Sequence, residues 1–370
     1  MAVTLTKDII ESFAGVFLST RYDNPMPTPP FHRECWELYA SNEKQCEVVA
    51  PRSHAKSTGL TFAYILAEVC FRVSDYCILI GSTEDKSAEQ LSNISEELHE
   101  NQDLRREFGI QSFESDTKTE IIVVCDDGYR FRILARGSEQ KIRGAMWKGK
   151  RPNLIVCDDM EDDEQVENVD RRRKFRRWFF RAVVPALSKS GKIRVHGTIL
   201  HEDSLLARLR KNKTWKCLFY KAHLSYTDFS NILWPEQWSA TELRKIQQSF
   251  EAEGDSAGYS QEYLNTPRDN EEAFLRKQDF LAMSEDDHEL DKRFYIGADF
   301  AVSKRDKANR TSFTVGGQDL DNTLHVVDVR VGRWDSIEWI EEMFLLDMKW
   351  HPLVFFVEDG VIWKSVYPMI

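Results

Sequence analysis

The sequence predicts an α/β fold, with an open and mostly parallel sheet covered by helices on both faces, followed by a second α/β domain. Strand-like and helix-like patterns alternate between about residues 31 and 200, as they do in parallel sheets. Three strand-like runs in this region lead to a Lys-Ser pair, an acidic pair and a Gly-Thr pair. Because parallel strands end at one edge of their sheet, we expect these three ends to form a single site.

The first apolar run leads into a loop with the pattern of a phosphate-binding site. A loop of the type G-x-x-x-x-G-K-[ST] turns backbone N–H groups toward a β-phosphate, with the Lys on the β- and γ-oxygens and the hydroxyl on Mg²⁺. Here Ala50 and Ala55 fill the two glycine positions, and Lys56 and Ser57 complete the pattern. The expected nucleotide-binding residues are Pro51, Arg52, Ser53, His54, Ala55, Lys56, Ser57 and Thr58.

The other two runs supply the remaining groups of a nucleotide site. Leu154–Cys157 reads as a buried strand that ends in Asp158 and Asp159. In a phosphate-loop ATPase this strand lies beside the loop, and its Asp holds Mg²⁺, so Asp158 and Ser57 are the expected metal-binding residues. The third run ends at Thr198, where a residue that senses the γ-phosphate would lie.

Loop, acidic strand and Gly-Thr strand end, in this order and followed by a second acidic half, resemble the large terminase subunit of tailed bacteriophages. The run Ala50–Thr58 is similar to that family's deviant phosphate loop A-P-R-G-x-x-K-S-T, with Ser53 in place of the glycine. Gln261–Pro267 is similar to the segment that closes the family's ATPase region. The resemblance implies a P-loop ATPase of the ASCE type with a lid subdomain, followed by a ribonuclease-H-like nuclease domain.

The resemblance also implies a function. Large terminases are DNA-packaging motors, so we expect this chain to hydrolyse ATP, to move double-stranded DNA into a procapsid and to cut concatemeric DNA. The implied cofactors are ATP with Mg²⁺ in the first domain and two Mg²⁺ or Mn²⁺ ions in the second. The implied partners are double-stranded DNA, a portal protein, a small terminase subunit and further copies in a ring on the procapsid, a ring that need not persist in solution. The expected location is the host-cell cytoplasm and, transiently, the procapsid, but not the mature virion.

Two roles in the ATPase half have more than one candidate. The general base is either Asp159, which follows the metal-binding Asp directly and is favoured by position, or Glu161. The arginine that stabilises the transition state is either Arg52 in the loop or Arg143, which the resemblance places for donation to an adjoining subunit; the alternative for Arg143 is a surface ion pair. Thr198 is the expected coupling residue. His54 is expected to be a spacing residue, because no partner His or Cys lies at metal-ligand spacing.

The second domain is expected to carry a two-metal nuclease site. Asp299 ends a strand, two strand-like runs and a helix follow, and Glu358 ends another buried strand. Cleavage of a phosphodiester by two metal ions requires clustered carboxylates, so Asp299 and Glu358 are the expected ligands. The family uses a third carboxylate further along its chain, and we therefore expect this nuclease half to be truncated at its C-terminus; Asp306 and Asn309 are weaker candidates for the missing role.

The expected organisation has five parts. They are a mobile N-terminal segment (1–30) with one short helix, an ATPase core (31–202), a lid (203–265), an acidic linker (266–292) and the nuclease domain (293–370).

Composition is compatible with this interpretation. The net charge of −11 argues against a uniformly basic surface, although Arg171–Arg181 is a local basic run that either is solvated and paired with acids or contacts DNA or another subunit. The seven cysteines lack metal-ligand spacing and the appearance of a disulfide framework, which favours a reducing compartment. No apolar run is long enough to span a membrane.

Two other functions fit parts of the sequence. One is a helicase-like, nucleic-acid-stimulated ATPase without nuclease activity, which would be favoured if Asp299 and Glu358 did not converge. The other is a non-catalytic module that docks onto a portal or adaptor, which would be favoured if the alanines in the loop had abolished nucleotide binding.

Overall fold

The computed structural model describes residues 3–22, 25–267, 281–301, 310–358 and 363. The chain divides into two compact units, Met1–Phe274 and Leu275–Ile370, and each has its own sheet. Within the described residues, no helix combines the length and the apolar character needed to cross a bilayer. All seven cysteines are free.

The first unit is built on an eight-stranded sheet in the order β3-β4-β5-β2-β6-β7-β1-β8. Its strands are β1 (Gln45–Val49), β2 (Tyr76–Gly81), β3 (Ile110–Thr117), β4 (Glu120–Cys125), β5 (Arg130–Gly137), β6 (Leu154–Asp158), β7 (Lys192–Gly197) and β8 (Lys216–Phe219). In this sheet order, each strand from β5 to the edge strand β8 is parallel to its neighbour. The pairs β3-β4 and β4-β5 are antiparallel. The predicted α/β class with a mostly parallel sheet is therefore confirmed.

Helices cover both faces of this sheet. They are α1 (Lys7–Phe13), α2 (Pro30–Ala40), α3 (Tyr64–Cys70), α4 (Glu84–Glu100), α5 (Gln102–Glu107), α6 (Asp163–Glu167), α7 (Val169–Trp178), α8 (Leu205–Leu209), α9 (Ala240–Ala252) and α10 (Ser256–Leu264). Three π-helical segments, Ala14–Leu18, Ser57–Ala63 and Phe179–Val183, continue α1, precede α3 and continue α7. Short 3₁₀ turns lie at Ser19–Arg21 and Val184–Ala186.

Strand β2 is buried on both faces, because every residue before its final glycine is aliphatic, aromatic or cysteine. In β2, Cys77 and Leu79 pack into the core on one face, while Ile78 and Ile80 pack into the core on the other. A strand covered on both sides has a continuous apolar sequence rather than an alternating one. The sheet is therefore a rigid platform for the loops at its edge.

The N-terminal segment is packed against the first unit, whereas the sequence suggested that it is mobile. Ile10, Phe13 and Leu18 are buried in the same core as α2 and α3. The side-chain amide of Asn101 also donates to the carbonyl of Phe17 at 2.7 Å. The prolines within this segment favoured a mobile chain in the sequence, but the apolar face of α1 outweighs them, because its burial removes large side chains from water.

The segment expected to form a lid contributes to two structures. β8 extends the main sheet by pairing in parallel with β1. The remainder, including α9 and α10, has its own small core, to which Phe229, Leu243 and Tyr259 belong. Part of the expected lid is thus directly attached to the strand that precedes the phosphate loop.

The second unit is a four-stranded sheet in the order β11-β10-β9-β12. Its elements are α11 (Glu285–Glu289), β9 (Arg293–Asp299), β10 (Thr311–Gln318), β11 (Leu324–Gly332), α12 (Ser336–Trp350) and β12 (Val354–Val357). β9, β10 and β11 are antiparallel, and β12 returns parallel to β9. Trp339, Met343 and Leu346 of α12 pack with Phe313 and Val315 of β10.

Candidate nucleotide site

The three strand ends meet at one edge of the first sheet. β1 lies between β7 and β8, and β6 lies beside β7. Val49 pairs with Gly197, and Asp158 pairs with His196, so the residues after these strands lie next to one another. The loop that follows β1 thus faces the acidic pair and the Gly-Thr pair, as the sequence predicts for parallel neighbours.

The loop contains residues with side chains at left-handed backbone positions, where glycine is usual. Ser53 has a φ of 59° and Ala55 a φ of 53°, both in the left-handed region. For an L-residue this region costs roughly 1–2 kcal/mol. Ala50, at the first glycine position, keeps a negative φ, so the replacement of that glycine carries no such cost.

Lys56 is buried within the loop, and acceptors surround its ammonium group. Its Nζ donates to the carbonyl of Ala50 at 3.0 Å, to that of Pro51 at 2.9 Å and to Oγ1 of Thr198 at 3.0 Å. Burial lowers the pKa of Lys56, although the carboxylates of Asp159 and Asp158 oppose this effect. The lysine is therefore held at the centre of the loop by neutral groups.

Asp158 lies in a network of hydroxyl groups and a histidine. Ser57 Oγ donates to its Oδ1 at 3.1 Å and Thr61 Oγ1 donates to its Oδ2 at 2.8 Å, while His196 Nε2 lies 3.2 Å from Oδ1. Burial alone would raise the pKa of Asp158, but the charge of His196 and these hydrogen bonds outweigh it and lower the pKa. Asp158 is thus a carboxylate next to the hydroxyl of Ser57, a pair of hard oxygen ligands of the kind that Mg²⁺ prefers.

Thr61 and His196 were not identified from the sequence. Thr61 follows Ser57 by four residues and therefore shares its helix face, a spacing that was available as a signal. His196 also contacts Tyr39, whose OH lies 3.0 Å from Nδ1. Its role depends on the register that sets it opposite Asp158, which the sequence alone does not give.

The two candidates for the general base have different surroundings. Asp159 is exposed, has a φ of 41° and accepts a hydrogen bond from the backbone of Thr198 at 3.2 Å. Glu161 instead accepts from the backbone N–H groups of Leu205 and Leu206, at 2.7 and 3.2 Å, at the start of α8. Burial raises the pKa of Glu161 to about 7. The contacts favour Asp159, because both oxygens of Glu161 are already used as a helix cap.

The two candidate arginines also differ. Arg52 is 67% exposed, and its Nη1 donates to Glu262 Oε1 at 3.0 Å; its backbone N–H donates to the carbonyl of the same glutamate at 2.9 Å. Arg143 is exposed and donates from Nε to the carbonyl of Arg181 at 2.9 Å. Among the described residues, no carboxylate lies within ion-pair distance of Arg143, so the structure does not support the alternative of a surface ion pair.

A cavity of about 630 Å³ lies beside the loop. Its walls include Tyr22, Trp36, Ser57, Thr58, Gln90 and Asn93. The cavity thus borders the same helix start that presents Ser57, and it offers both aromatic surface and side-chain amides.

In the second unit, the two predicted carboxylates lie at the same end of neighbouring strands. β9 and β12 are parallel, and their last paired residues are Ala298 and Val357. Asp299 and Glu358 directly follow these two residues and therefore lie side by side. Both line a cavity of about 390 Å³, together with Ser312 and Thr314. The other acidic candidate, Asp306, and Asn309 lie outside the described residues. In the part of the chain that the structure covers, no group of three His, Cys, Asp or Glu is arranged to hold a metal ion.

No protein-family model and no curated protein matches this sequence. The chain resembles large terminases of bacteriophages. The large terminase of bacteriophage HK97 is 15% identical, with a TM-score of 0.49 over 99% of this chain and 78% of that chain. A large terminase from a thermophilic bacteriophage is 11% identical, with a TM-score of 0.43 over 93% and 81% of the two chains. The ATPase domain of a Thermus phage large terminase is 12% identical, with a TM-score of 0.47 over 65% and 94%. Structures of the second protein include complexes with ADP and with ATP-gamma-S.

The basic run is largely paired with acidic residues of its own unit. Arg172 and Arg176 contact Asp203, at 3.3 and 3.2 Å, and Lys174 contacts Glu139 at 2.8 Å. These ion pairs agree with the first of the two interpretations of the basic run, in which it is solvated and paired with acids.

Proposed function

We propose that the first unit binds and hydrolyses ATP as the motor of a DNA-packaging machine. The observation that carries the proposal is the meeting of Lys56, Ser57 and Asp158 at the edge of a parallel sheet. A lysine for the phosphates, a hydroxyl and a strand-end carboxylate are the groups that phosphoryl transfer uses.

The donor set fits a magnesium ion. Ser57 Oγ and Asp158 Oδ1 are 3.1 Å apart, and the pKa of Asp158 is lowered, so the carboxylate is ionised at neutral pH. Ser57 and Asp158 would hold the ion, and Mg²⁺ would there neutralise charge on the β- and γ-phosphates. Thr61 orients Asp158 through its hydrogen bond at 2.8 Å.

The remaining residues of the site position the phosphates and the attacking water. Lys56 exchanges its neutral carbonyl partners for phosphate oxygens, because a hydrogen bond to a charged acceptor is roughly twice as strong. Asp159 orients the water, and its contact with the backbone of Thr198 connects that role to the end of β7. The neighbouring cavity, with Trp36, Gln90 and Asn93 in its wall, is the proposed place for the nucleoside.

We further propose that the second unit cuts DNA with divalent metal ions held by Asp299 and Glu358. Two carboxylates at the same end of adjacent parallel strands can bind a hard cation between them. Double-stranded DNA, a portal protein, a small terminase subunit and a ring of identical subunits on a procapsid are the proposed partners, on the basis of the motif resemblance. Arg143, which is exposed, is the proposed arginine for an adjoining subunit in that ring, and Arg52 is the alternative within the same chain.

The ATPase proposal is tested by calorimetry with MgADP and by steady-state ATP turnover. We expect wild-type protein to bind MgADP, and Lys56→Ala to abolish turnover. Lys44→Ala is a matched control, because Lys44 is an exposed lysine whose Nζ donates to the carbonyl of Lys189. Well-folded wild-type protein that binds no adenine nucleotide would contradict the proposal and favour the docking module.

The nuclease proposal is tested with supercoiled DNA and Mn²⁺. We expect cleavage by the wild type, loss of cleavage in Asp299→Asn and Glu358→Gln, and retention in Lys56→Ala. Asp321→Asn is the control, because Asp321 is an exposed acid of the same unit. ATP turnover without any metal-dependent cleavage would leave a nucleic-acid-stimulated ATPase as the function.

A further inference from the structure

The phosphate loop is held by two histidines, one within the loop and one in α2. His54 lies between Ser53 and Ala55, the two residues with positive φ. His32, in α2, contacts the loop from outside: its Nε2 lies 2.9 Å from the carbonyl oxygen of His54. His54 in turn places its own Nδ1 2.8 Å from the carbonyl oxygen of Arg52.

The direction of both hydrogen bonds follows from their acceptors. A carbonyl oxygen can only accept, so His32 donates from Nε2 and His54 donates from Nδ1. Burial lowers the pKa of each ring to about 4, which keeps both rings neutral at physiological pH. A neutral imidazole has one N–H, and in each ring that N–H is committed to a carbonyl of the loop.

These two contacts fix the direction of two backbone amides. In a trans peptide the C=O and the following N–H point in opposite directions, and the described chain has no cis peptide. Holding the carbonyls of Arg52 and His54 toward the protein therefore turns the N–H groups of Ser53 and Ala55 the other way. Among the described residues, neither N–H has a hydrogen-bond partner. Unpaired backbone N–H groups in a turn that contains left-handed residues can form a concave anion-binding site.

Aromatic packing immobilises the histidines themselves. The ring of His54 stacks on Trp238, with centroids 6.2 Å apart and an interplanar angle of 24°. The rings of His32 and Trp234 lie 5.5 Å apart. Trp36, one turn after His32 in α2, donates from Nε1 to the carbonyl of Gly59 at 2.9 Å and so ties α2 to the helix that the loop enters.

We propose that His32 and His54 are positioning residues that hold the loop in its phosphate-binding conformation. Glycine reaches positive φ freely, whereas Ser53 and Ala55 must be kept there by contacts with their surroundings. The histidine pair supplies those contacts, which explains how a loop without its usual glycines keeps two amides directed toward a phosphate. This inference rests on the proposed nucleotide binding and adds to it residues outside the motif.

The test compares His32→Leu with His32→Gln by calorimetry with MgADP and by thermal unfolding. Leucine keeps an apolar side chain but removes the donor, so we expect MgADP affinity to fall by about tenfold, the effect of leaving one buried acceptor unpaired. Glutamine places an amide N–H near the position of Nε2, and we expect affinity close to that of the wild type.

A second substitution separates positioning from general stability. The hydrogen bond from His32 fixes the peptide whose nitrogen belongs to Ala55, so adding Ala55→Gly to His32→Leu should restore most of the lost affinity. Lys148→Gly is the matched control, because Lys148 has a φ of 48° in a loop outside the site and should restore nothing. Equal restoration by both glycines, or an unchanged MgADP affinity in His32→Leu, would overturn the proposal.

The two proposals can fail separately. If wild-type protein binds no MgADP, the nucleotide function fails, and the histidine pair is then judged from thermal unfolding without nucleotide. In that case Ala55→Gly should still recover the melting temperature lost in His32→Leu, and Lys148→Gly should not. Absence of that difference would refute the positioning role on its own.

Discussion

The buried carboxyl group of Glu47 should make the stability of the first unit depend strongly on pH. Glu47 lies in β1, between β7 and β8, and is 0% exposed. Burial raises its pKa from an ordinary value of 4.5 to about 8, against a smaller opposing effect of the Cys217 thiol. At about 1.4 kcal/mol for each pH unit, that difference corresponds to roughly 5 kcal/mol.

The sign follows from where the proton is held. The unfolded chain releases the proton of Glu47 near pH 4.5, whereas the folded chain keeps it until about pH 8. The contribution of Glu47 to stability is therefore fully present below pH 4.5 and is lost as the pH rises to 8. Because water and nearby groups can relax around the ionised form, we expect a measured loss of about 2–5 kcal/mol over this range.

Urea unfolding at pH 5, 6, 7 and 8, followed by tryptophan fluorescence, measures this loss. Glu47→Gln keeps the size of the side chain but cannot ionise, so its free energy of unfolding should fall less with pH than that of the wild type. The difference between the two curves isolates Glu47, because Glu161 and the buried histidines are present in both proteins. Exposed Glu236 gives the control Glu236→Gln. Parallel pH curves for wild type and Glu47→Gln would refute the reasoning.

Two further predictions concern the nucleotide site. Thr61→Val removes the hydroxyl that donates to Asp158 at 2.8 Å. We expect ATP turnover at saturating ATP to require more Mg²⁺, and the free energy of unfolding to fall by about 1–3 kcal/mol. A magnesium titration identical to that of the wild type would contradict this. Asp159→Asn should abolish ATP turnover, whereas Glu161→Gln should keep most of it. Glu161→Gln should also lower the free energy of unfolding by about 1 kcal/mol, because it weakens the cap on α8. The reverse order of activities in a turnover assay would assign the general base to Glu161.

Sequence reasoning predicted which groups meet at the candidate nucleotide site, because their meeting depends on strand order and strand ends alone. Lys56, Ser57 and Asp158 follow or end apolar runs, and parallel strands bring such positions together whatever their exact register. The same argument placed Asp299 and Glu358 at one end of neighbouring strands in the second unit.

Other features depend on information that a linear pattern does not hold. His196 reaches Asp158 only because the two residues are paired across β6 and β7. The short strand β8 lies in a segment of mixed character, and its place beside β1 is decided by pairing. The left-handed conformations of Ser53 and Ala55 contradict their local preferences, so they could be recognised only together with the histidine contacts that support them.

At the proposed ATP site, the three acceptors around Lys56 have a consequence for the release of product. A buried ammonium group without any partner would strongly favour retention of whatever anion it meets, because release of the anion would leave an unsolvated charge. The carbonyls of Ala50 and Pro51 and the hydroxyl of Thr198 give this group an alternative resting place. We therefore expect ADP to dissociate without prior entry of water into the loop. Product release then need not be the rate-limiting step of the ATPase cycle.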